Sequence, residues 1–403
     1  MISVQEALTI LQNNLPEPKI KNIILDEAFG CILSENIVAP ESSPRYTNSA
    51  MDGFALRWAD YHKSEGDQPV TRLKIIGESQ AGIPFEAEVE PGTAIRISTG
   101  AMLPSGADSV VRVEDTEEKD GYVKVLELKK QGQDVRRAGE EFCQGKQLFT
   151  KGDVLGAREL ALLAAVGAHK VPVYSQPKVS LLVTGTELAA YDEATISPHQ
   201  IRDSNSIMLA SAVKEVGGLP ESITHIEDSL AQTTEAVQTA VDSGADVIIC
   251  SGGVSVGNHD HVKEAALAVG FEELFWKIRQ KPGKPLFVSR LGDALLFGLP
   301  GNPVSAYMCF VNYVRPTLAA LQGTTSIHQK LTATTAERLV NTGKRTNFIR
   351  VTVEDNPNAI AIIKEATNQG SHMLSSIVHA DGYIVMQPGD VIETGSLVEV
   401  VLF

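Results

Sequence analysis

Residues 245–270 read ADVIICSGGVSVGNHDHVKEAALAVG. The run from Val247 to Ile249 is short, apolar and β-branched, as in a strand covered on both faces. HVKEAALAVG then reads as a helix that stops at Gly270. Between them lies a loop with almost no side-chain bulk, followed by Asn258, His259 and Asp260. A strand leading through such a loop into a helix is half of a βαβ unit, and the same rhythm continues outward on both sides. VSLLVTG (179–185), the stretch around SITHIED (222–228), FEELFWKI (271–278), PLFVSR (285–290) and ALLFGLPG (294–301) read as strands. SNSIMLASAVKEVGG (204–218), LAQTTEAVQTAVDSG (230–244) and the long NPVSAYMCFVNYVRPTLAAL (302–321) read as helices. Such alternation predicts a doubly wound α/β domain at 177–323, with a parallel sheet covered on both faces.

The flanking regions follow other rules. FIRVTVE (348–354) alternates strictly, with Ile349, Val351 and Val353 on one face. AIAIIKE, GYIVMQPG and LVEVVLF follow at short spacing, so 324–403 reads as a small β-barrel-like domain. Residues 1–176 read as helical segments, 1–40 and 141–176, around a β-rich insert at 41–140, with PVYSQPK (172–178) as a linker. The expected fold is therefore multidomain, α/β in the centre and β on either side. A length of 403 residues, more than one core usually serves, agrees with this.

Charge and composition narrow the function. The formal net charge of −15 opposes nucleic acid or an anionic membrane as partner, since their binders carry basic surfaces. It leaves room for an anionic small ligand at a local basic cluster. Cys31, Cys143, Cys250 and Cys309 are too scattered for a zinc or redox motif and fit reduced, mostly buried thiols in a cytoplasmic protein. MISVQEALTILQNNL patterns as an amphipathic helix rather than a signal peptide, and no apolar run has the length of a membrane span.

Ligands of open parallel sheets bind beyond the carboxyl ends of the strands. TGTE (184–187), HIEDS (225–229), SGGVSVGNHD (251–260), RQKPGKP (279–285) and GLPGNPVS (298–305) all fall there. Gly252, Gly253 and Gly257 let backbone approach a ligand, and their N–H groups suit an anion; the alternative is a tight βα turn. The loop has neither the GK[ST] ending of a P-loop nor the G-x-G-x-x-G pattern. His259, Asp260 and His261 sit on adjacent positions and cannot converge on one ion. Asp260 alone suits either a cation contact or a helix cap. Arg279, Lys281 and Lys284, stiffened by Pro282 and Pro285, form the local basic cluster and suggest an oxyanion site. Asn302 suits an N-cap with Pro303 at the first helical position, and Ser305 follows. Asp52 in SAMDGFA and Thr99 in RISTGAM read locally as turn chemistry.

Seven stretches together carry a resemblance: SAMDGFA, RISTGAMLPSGAD, RRAGEEF, LLVTGTEL, SGGVSVGNHD, KPGKP and LPGNPVSA, in that order from 49 to about 305. In them the chain resembles the bacterial molybdopterin molybdenumtransferases, the MoeA family, related to the E domain of gephyrin. The resemblance implies an α/β domain of molybdopterin-binding type and an elongated homodimer whose active sites use both chains. It implies the last step of molybdenum cofactor synthesis, in which adenylylated molybdopterin and molybdate give molybdenum cofactor and AMP with Mg²⁺. A molybdopterin adenylyltransferase would be the partner that supplies the substrate.

By the same resemblance Asp52, Glu187, Asp260, Lys281 and Lys284 are catalytic. Thr99, Gly252, Gly253, Ser255, Gly257, Pro300, Asn302 and Pro303 bind the pterin and its phosphates. Lys281, Lys284, Ser305, Arg350 and Ser371 bind molybdate, and Asp260 with Glu187 holds Mg²⁺. The chain departs from the family at Thr186, where an acid is usual, at Glu141, where Asp is usual, and at Asn258 and His259, where a short acid or Tyr is usual. Two other readings share the α/β module. A molybdopterin adenylyltransferase would lack the front region and the tail, and a non-catalytic scaffold would carry further partner motifs.

Overall fold

The computed structural model describes residues 1–61, 72–254, 261–324, 329–354 and 360–403. Two compact units emerge. One comprises Met1–Ser34, Val154–Gly156 and Lys170–Phe403; the other comprises Glu35–Asp153 and Ala157–His169.

The first unit is built on a six-stranded sheet in the order Leu219–Ile226, Lys178–Thr184, Val247–Ser251, Ala294–Leu299, Phe287–Leu291, Glu272–Trp276. Alternation along the apolar runs sorts side chains between the two faces. Val247 and Ile249 join Val179, Leu181, Leu295 and Phe297 under the helix Asn205–Glu215 and the last helix, while Ile248 and Cys250 join Leu182 and Leu296 under the helices Leu230–Asp242 and Val262–Val269. Each such residue is fully buried, which contributes roughly 1.5–3 kcal/mol per large aliphatic side chain. The helix Val4–Asn13, closed by a Ser3–Glu6 capping box, buries Ala7 and Leu11 in the first of these cores.

The sheet is not wholly parallel, as the βαβ rhythm had predicted. The first four strands are parallel, but Phe287–Leu291 pairs antiparallel with both its neighbours. The connection from Leu291 to Ala294 is a tight hairpin through Gly292, too short for the crossover that parallel strands need. The stretch at 172–178 is also not a free linker. Its first residues end the strand Lys170–Tyr174, which pairs antiparallel with Ile20–Ile24. The long closing helix holds a π-turn at Phe310–Val314 before Arg315–Ala320 resumes.

The tail forms a closed five-stranded barrel, because Thr346–Glu354 pairs with both Ile362–Glu365 and Gly382–Met386. Ile349 and Val351 fill it with Ile363, Ile384, Met386 and Val400. The opposite face of the same strand sends Phe348 into the α/β core and buries Arg350. A short parallel pairing of Gln280–Lys281 with Thr346–Asn347 ties the barrel to the α/β domain.

The second unit is a six-stranded sheet with Gly53–Leu56 between Thr93–Ile97 and Ser109–Arg112. Phe54 and Leu56 face one core and Ala55 the other. Gly53 has no alternative residue, since a Cβ there would stand 1.9 Å from the Val111 carbonyl oxygen. Among the described residues no helix is long and apolar enough to cross a membrane.

Candidate functional site

The register of the central strands sets Val183, Ser251 and Leu299 level at their carboxyl ends, with Thr184 one residue beyond. A cavity of about 510 Å³ opens there, lined among others by Glu187, Asp203, Asn205, Gly253, Pro300, Asn302, Pro303 and His372. Gly252 and Gly253 both have positive φ (93° and 66°), and a Cβ on Gly252 would lie 2.7 Å from the Thr184 carbonyl oxygen. The glycines therefore serve close approach between strand ends. The Gly252 N–H donates to the Leu299 carbonyl at 3.0 Å, so it is not free to hold a phosphate as the sequence had suggested. Ser255, Gly257 and Asp260, with Asn258 and His259, lie outside the described residues. The following helix begins at Val262 with His261 in the cap position, one residue after the start read from the sequence.

Polar side chains pin the cavity. Asn205 donates from Nδ2 to Ser251 Oγ and to the Gly301 carbonyl, both at 2.8 Å. Asp203 accepts from the Ser206 N–H (3.0 Å) and meets His225 Nε2 at 2.8 Å. Burial works against its ionisation, but the Ser206 and His225 bonds outweigh it and hold the carboxyl below the usual range. The Glu187 carboxylate folds over Gly185, where a Cβ would come within 2.8 Å of it.

The basic turn and the tail meet at the start of the last helix. Asn302 occupies the cap position but does not cap with its side chain; Nδ2 donates to Ser371 Oγ at 3.3 Å instead. The Val304 N–H donates to the Ser371 carbonyl at 3.2 Å, and Ser305 is buried one residue on. Lys281 and Lys284 are exposed around a buried Pro282–Gly283. Arg279 leaves the cluster by pairing with Glu6 at 3.6 Å. Arg350 is fully buried, yet among the described residues its Nε and Nη1 have no partner, while Nη2 donates to the Asn368 carbonyl at 3.3 Å. Burial depresses this guanidinium's proton affinity, and the nearby Glu365 partly restores it.

In the second unit Asp52 and Thr99 meet each other. The Thr99 N–H and Oγ–H donate to Asp52 Oδ1 at 2.6 and 2.9 Å, and these bonds hold the Asp52 carboxyl below its usual range.

Comparison with known proteins decides the family. Residues 2–167 match the MoeA N-terminal region (domain I and II), 180–320 a probable molybdopterin binding domain, and 332–403 the MoeA C-terminal region (domain IV). The molybdopterin molybdenumtransferase of Haemophilus influenzae is 35% identical over 96% of this chain and 95% of its own length. That of Staphylococcus epidermidis is 33% identical over 100% of this chain and 95% of its own. The chain belongs to the MoeA family. A molybdopterin biosynthesis MoeA protein from Pyrococcus horikoshii superposes with a TM-score of 0.85 at 30% identity, covering 100% of this chain and 99% of that one.

Within this MoeA chain the structure gathers Glu187, Gly253, Pro300, Asn302 and Pro303 at one cavity. It brings Ser371 of the tail to Asn302 on the same chain. The departures from the family pattern have local partners. Thr186 donates its N–H and hydroxyl to Asp228 Oδ2 at 3.3 and 3.4 Å, and Glu141 accepts from Ser43 Oγ at 2.7 Å. Sequence reasoning missed Asn205, Asp203, Asp228 and His372. Asn205 and Asp203 read as ordinary helix-start residues, and only the strand register reveals what they face. Asp228 lay within HIEDS, a loop already placed at a strand's carboxyl end.

Proposed function

We propose that this chain transfers molybdenum from molybdate to adenylylated molybdopterin, releasing AMP in the last step of molybdenum cofactor synthesis. It is a transferase. The observation that carries the reading is Arg350: a fully buried guanidinium with two nitrogens unpartnered among the described residues, on the strand that pairs with Gln280–Lys281 of the basic turn. A buried cation with spare donors is a site for a compact oxyanion. Lys281 and Lys284 add two positive charges, and the Ser371 and Ser305 hydroxyls add neutral donors.

The chain's residues bind and orient. The 510 Å³ cavity suits a pterin carrying a phosphate-linked nucleotide. Asn205, fixed by two bonds, keeps the Ser251 and Gly301 loops together at its floor. The substrate's own sulfurs take up the metal, so no covalent enzyme intermediate is required. Asp52, held ionised by Thr99, belongs to the catalytic set. Among the described residues no three His, Cys, Asp or Glu form a ready metal cage. Mg²⁺ commonly takes one or two carboxylates plus substrate phosphate, and Glu187 fits that role with Asp260 as the second ligand. Bound there, Mg²⁺ would neutralise charge at the scissile phosphate linkage.

The assembly is a cytoplasmic homodimer supplied by a molybdopterin adenylyltransferase. Supporting the dimer, the first unit exposes Ile20 (56%), Phe29 (69%) and Val154 (58%), apolar surface that a second copy would cover. The test of the oxyanion site is Lys281→Ala/Lys284→Ala. The molybdate concentration needed for half-maximal AMP release should rise far more than that of adenylylated molybdopterin. Equal weakening for both substrates would reduce the lysines to a general electrostatic feature.

A further inference from the structure

A polar cluster lies wholly inside the core beneath the basic turn. Gln280, Tyr313 and Cys309 are each fully buried. The Tyr313 hydroxyl donates to Gln280 Oε1 at 2.5 Å, and Gln280 Nε2 points at Cys309 Sγ at 3.5 Å. Cys309 Sγ in turn lies 3.6 Å from the Gly283 carbonyl. Gly283 has φ of 90°, and a Cβ there would come within 2.5 Å of Cys309 Sγ and 2.7 Å of Gln280 Nε2. The turn between the two lysines is thus folded down onto these side chains with no room to spare. Arg345 Nη1 donates to the Gln280 carbonyl at 3.3 Å, so the barrel grips the same residue from its other side.

The π-turn makes this contact. It spans Phe310–Val314 and includes Tyr313. It also holds Asn312, which accepts from the Tyr383 hydroxyl of the barrel at 2.9 Å. One irregular helical turn therefore reaches both the basic turn and the barrel strand beside that of Arg350. Such single-turn bulges cost stability and persist where a side chain must be re-aimed. An apolar trio of the same shape would fill the space at little or no cost, since removing both partners of a buried bond is nearly neutral. The polarity is concentrated where the lysine turn begins.

We propose that Gln280 and Tyr313 are positioning residues for the oxyanion site, clamping the Lys281–Lys284 turn so that both ammonium groups stay arranged for molybdate. This rests on the reading of that site given above.

The test is Tyr313→Phe in the full-length protein, assayed by AMP release with each substrate varied in turn. Loss of one buried bond should raise the molybdate KM roughly tenfold, the equivalent of about 1.4 kcal/mol. The KM for adenylylated molybdopterin should stay unchanged. In the Lys281→Ala/Lys284→Ala background Tyr313→Phe should add nothing further, because it acts through the lysines. If the single variant does not fold, Tyr313→Phe/Gln280→Met leaves no orphaned group and takes its place in the same assay. An unchanged molybdate KM, while the lysine variant raises it, overturns the positioning role and leaves the oxyanion site standing. A parallel rise in both KM values shows general loosening and also overturns it. If neither variant affects molybdate, the oxyanion reading falls and takes this proposal with it.

Discussion

Arg350→Met should make the protein more stable and blind to molybdate. The wild-type side chain is completely buried, and two of its three guanidinium nitrogens lack partners among the described residues. The opposing carboxylate, Glu365, is itself pushed up by burial and only partly drawn back by Arg350 and Lys281. Replacing a buried, poorly paired ion by an apolar chain of similar length stabilises by about 1–4 kcal/mol. We take about 2 kcal/mol, since one bond to Asn368 and the Glu365 field are lost with the charge. For a unit of this size that raises the unfolding midpoint by roughly 4–8 °C. Calorimetry on wild type and variant, each with and without molybdate, separates the two effects. In the wild type, molybdate at 100-fold its Kd should add about 2.7 kcal/mol; in the variant it should add nothing. A variant less stable than wild type, or one that molybdate still stabilises equally, would refute the claim that Arg350 is held unsatisfied for an oxyanion.

Gly53→Ala should unfold or severely destabilise the second unit, by more than about 3 kcal/mol, because its Cβ would overlap the Val111 carbonyl across the strand pair; urea titration reads this, and a loss under 1 kcal/mol would contradict it. Asp203 has a folded-state pKa below its unfolded value of about 3.9, so its stabilisation is present above that pH and lost as pH falls through the folded value. Asp203→Asn should accordingly be less stable than wild type near neutrality, with the gap closing below about pH 4. A pH-independent gap would show that the charge is not what stabilises.

The parts legible in the sequence were those with a period. The run at 247–249 has to alternate between two cores, and FIRVTVE has to send Ile349 and Val351 into a barrel. The antiparallel Phe287–Leu291 escaped because a buried strand reads the same in either direction, and only the two-residue connection at Gly292 distinguishes them. Arg350 stands in the same alternation as Phe348, on the outward face, but nothing in FIRVTVE says that this face is buried against another domain. The contact between Asp52 and Thr99 was invisible locally, since each looks like turn chemistry until strand pairing brings them within 2.6 Å. Gln280 and Tyr313 lie 33 positions apart, and the π-turn that joins them has no signature in NPVSAYMCFVNYV.

The central claim is most directly tested by AMP release from adenylylated molybdopterin, followed with purified protein as molybdate is raised from zero. The account predicts release that requires molybdate and saturates with it, in step with molybdenum appearing on the pterin. AMP release at the same rate without molybdate, or none at any molybdate concentration in protein that binds the pterin, would contradict it.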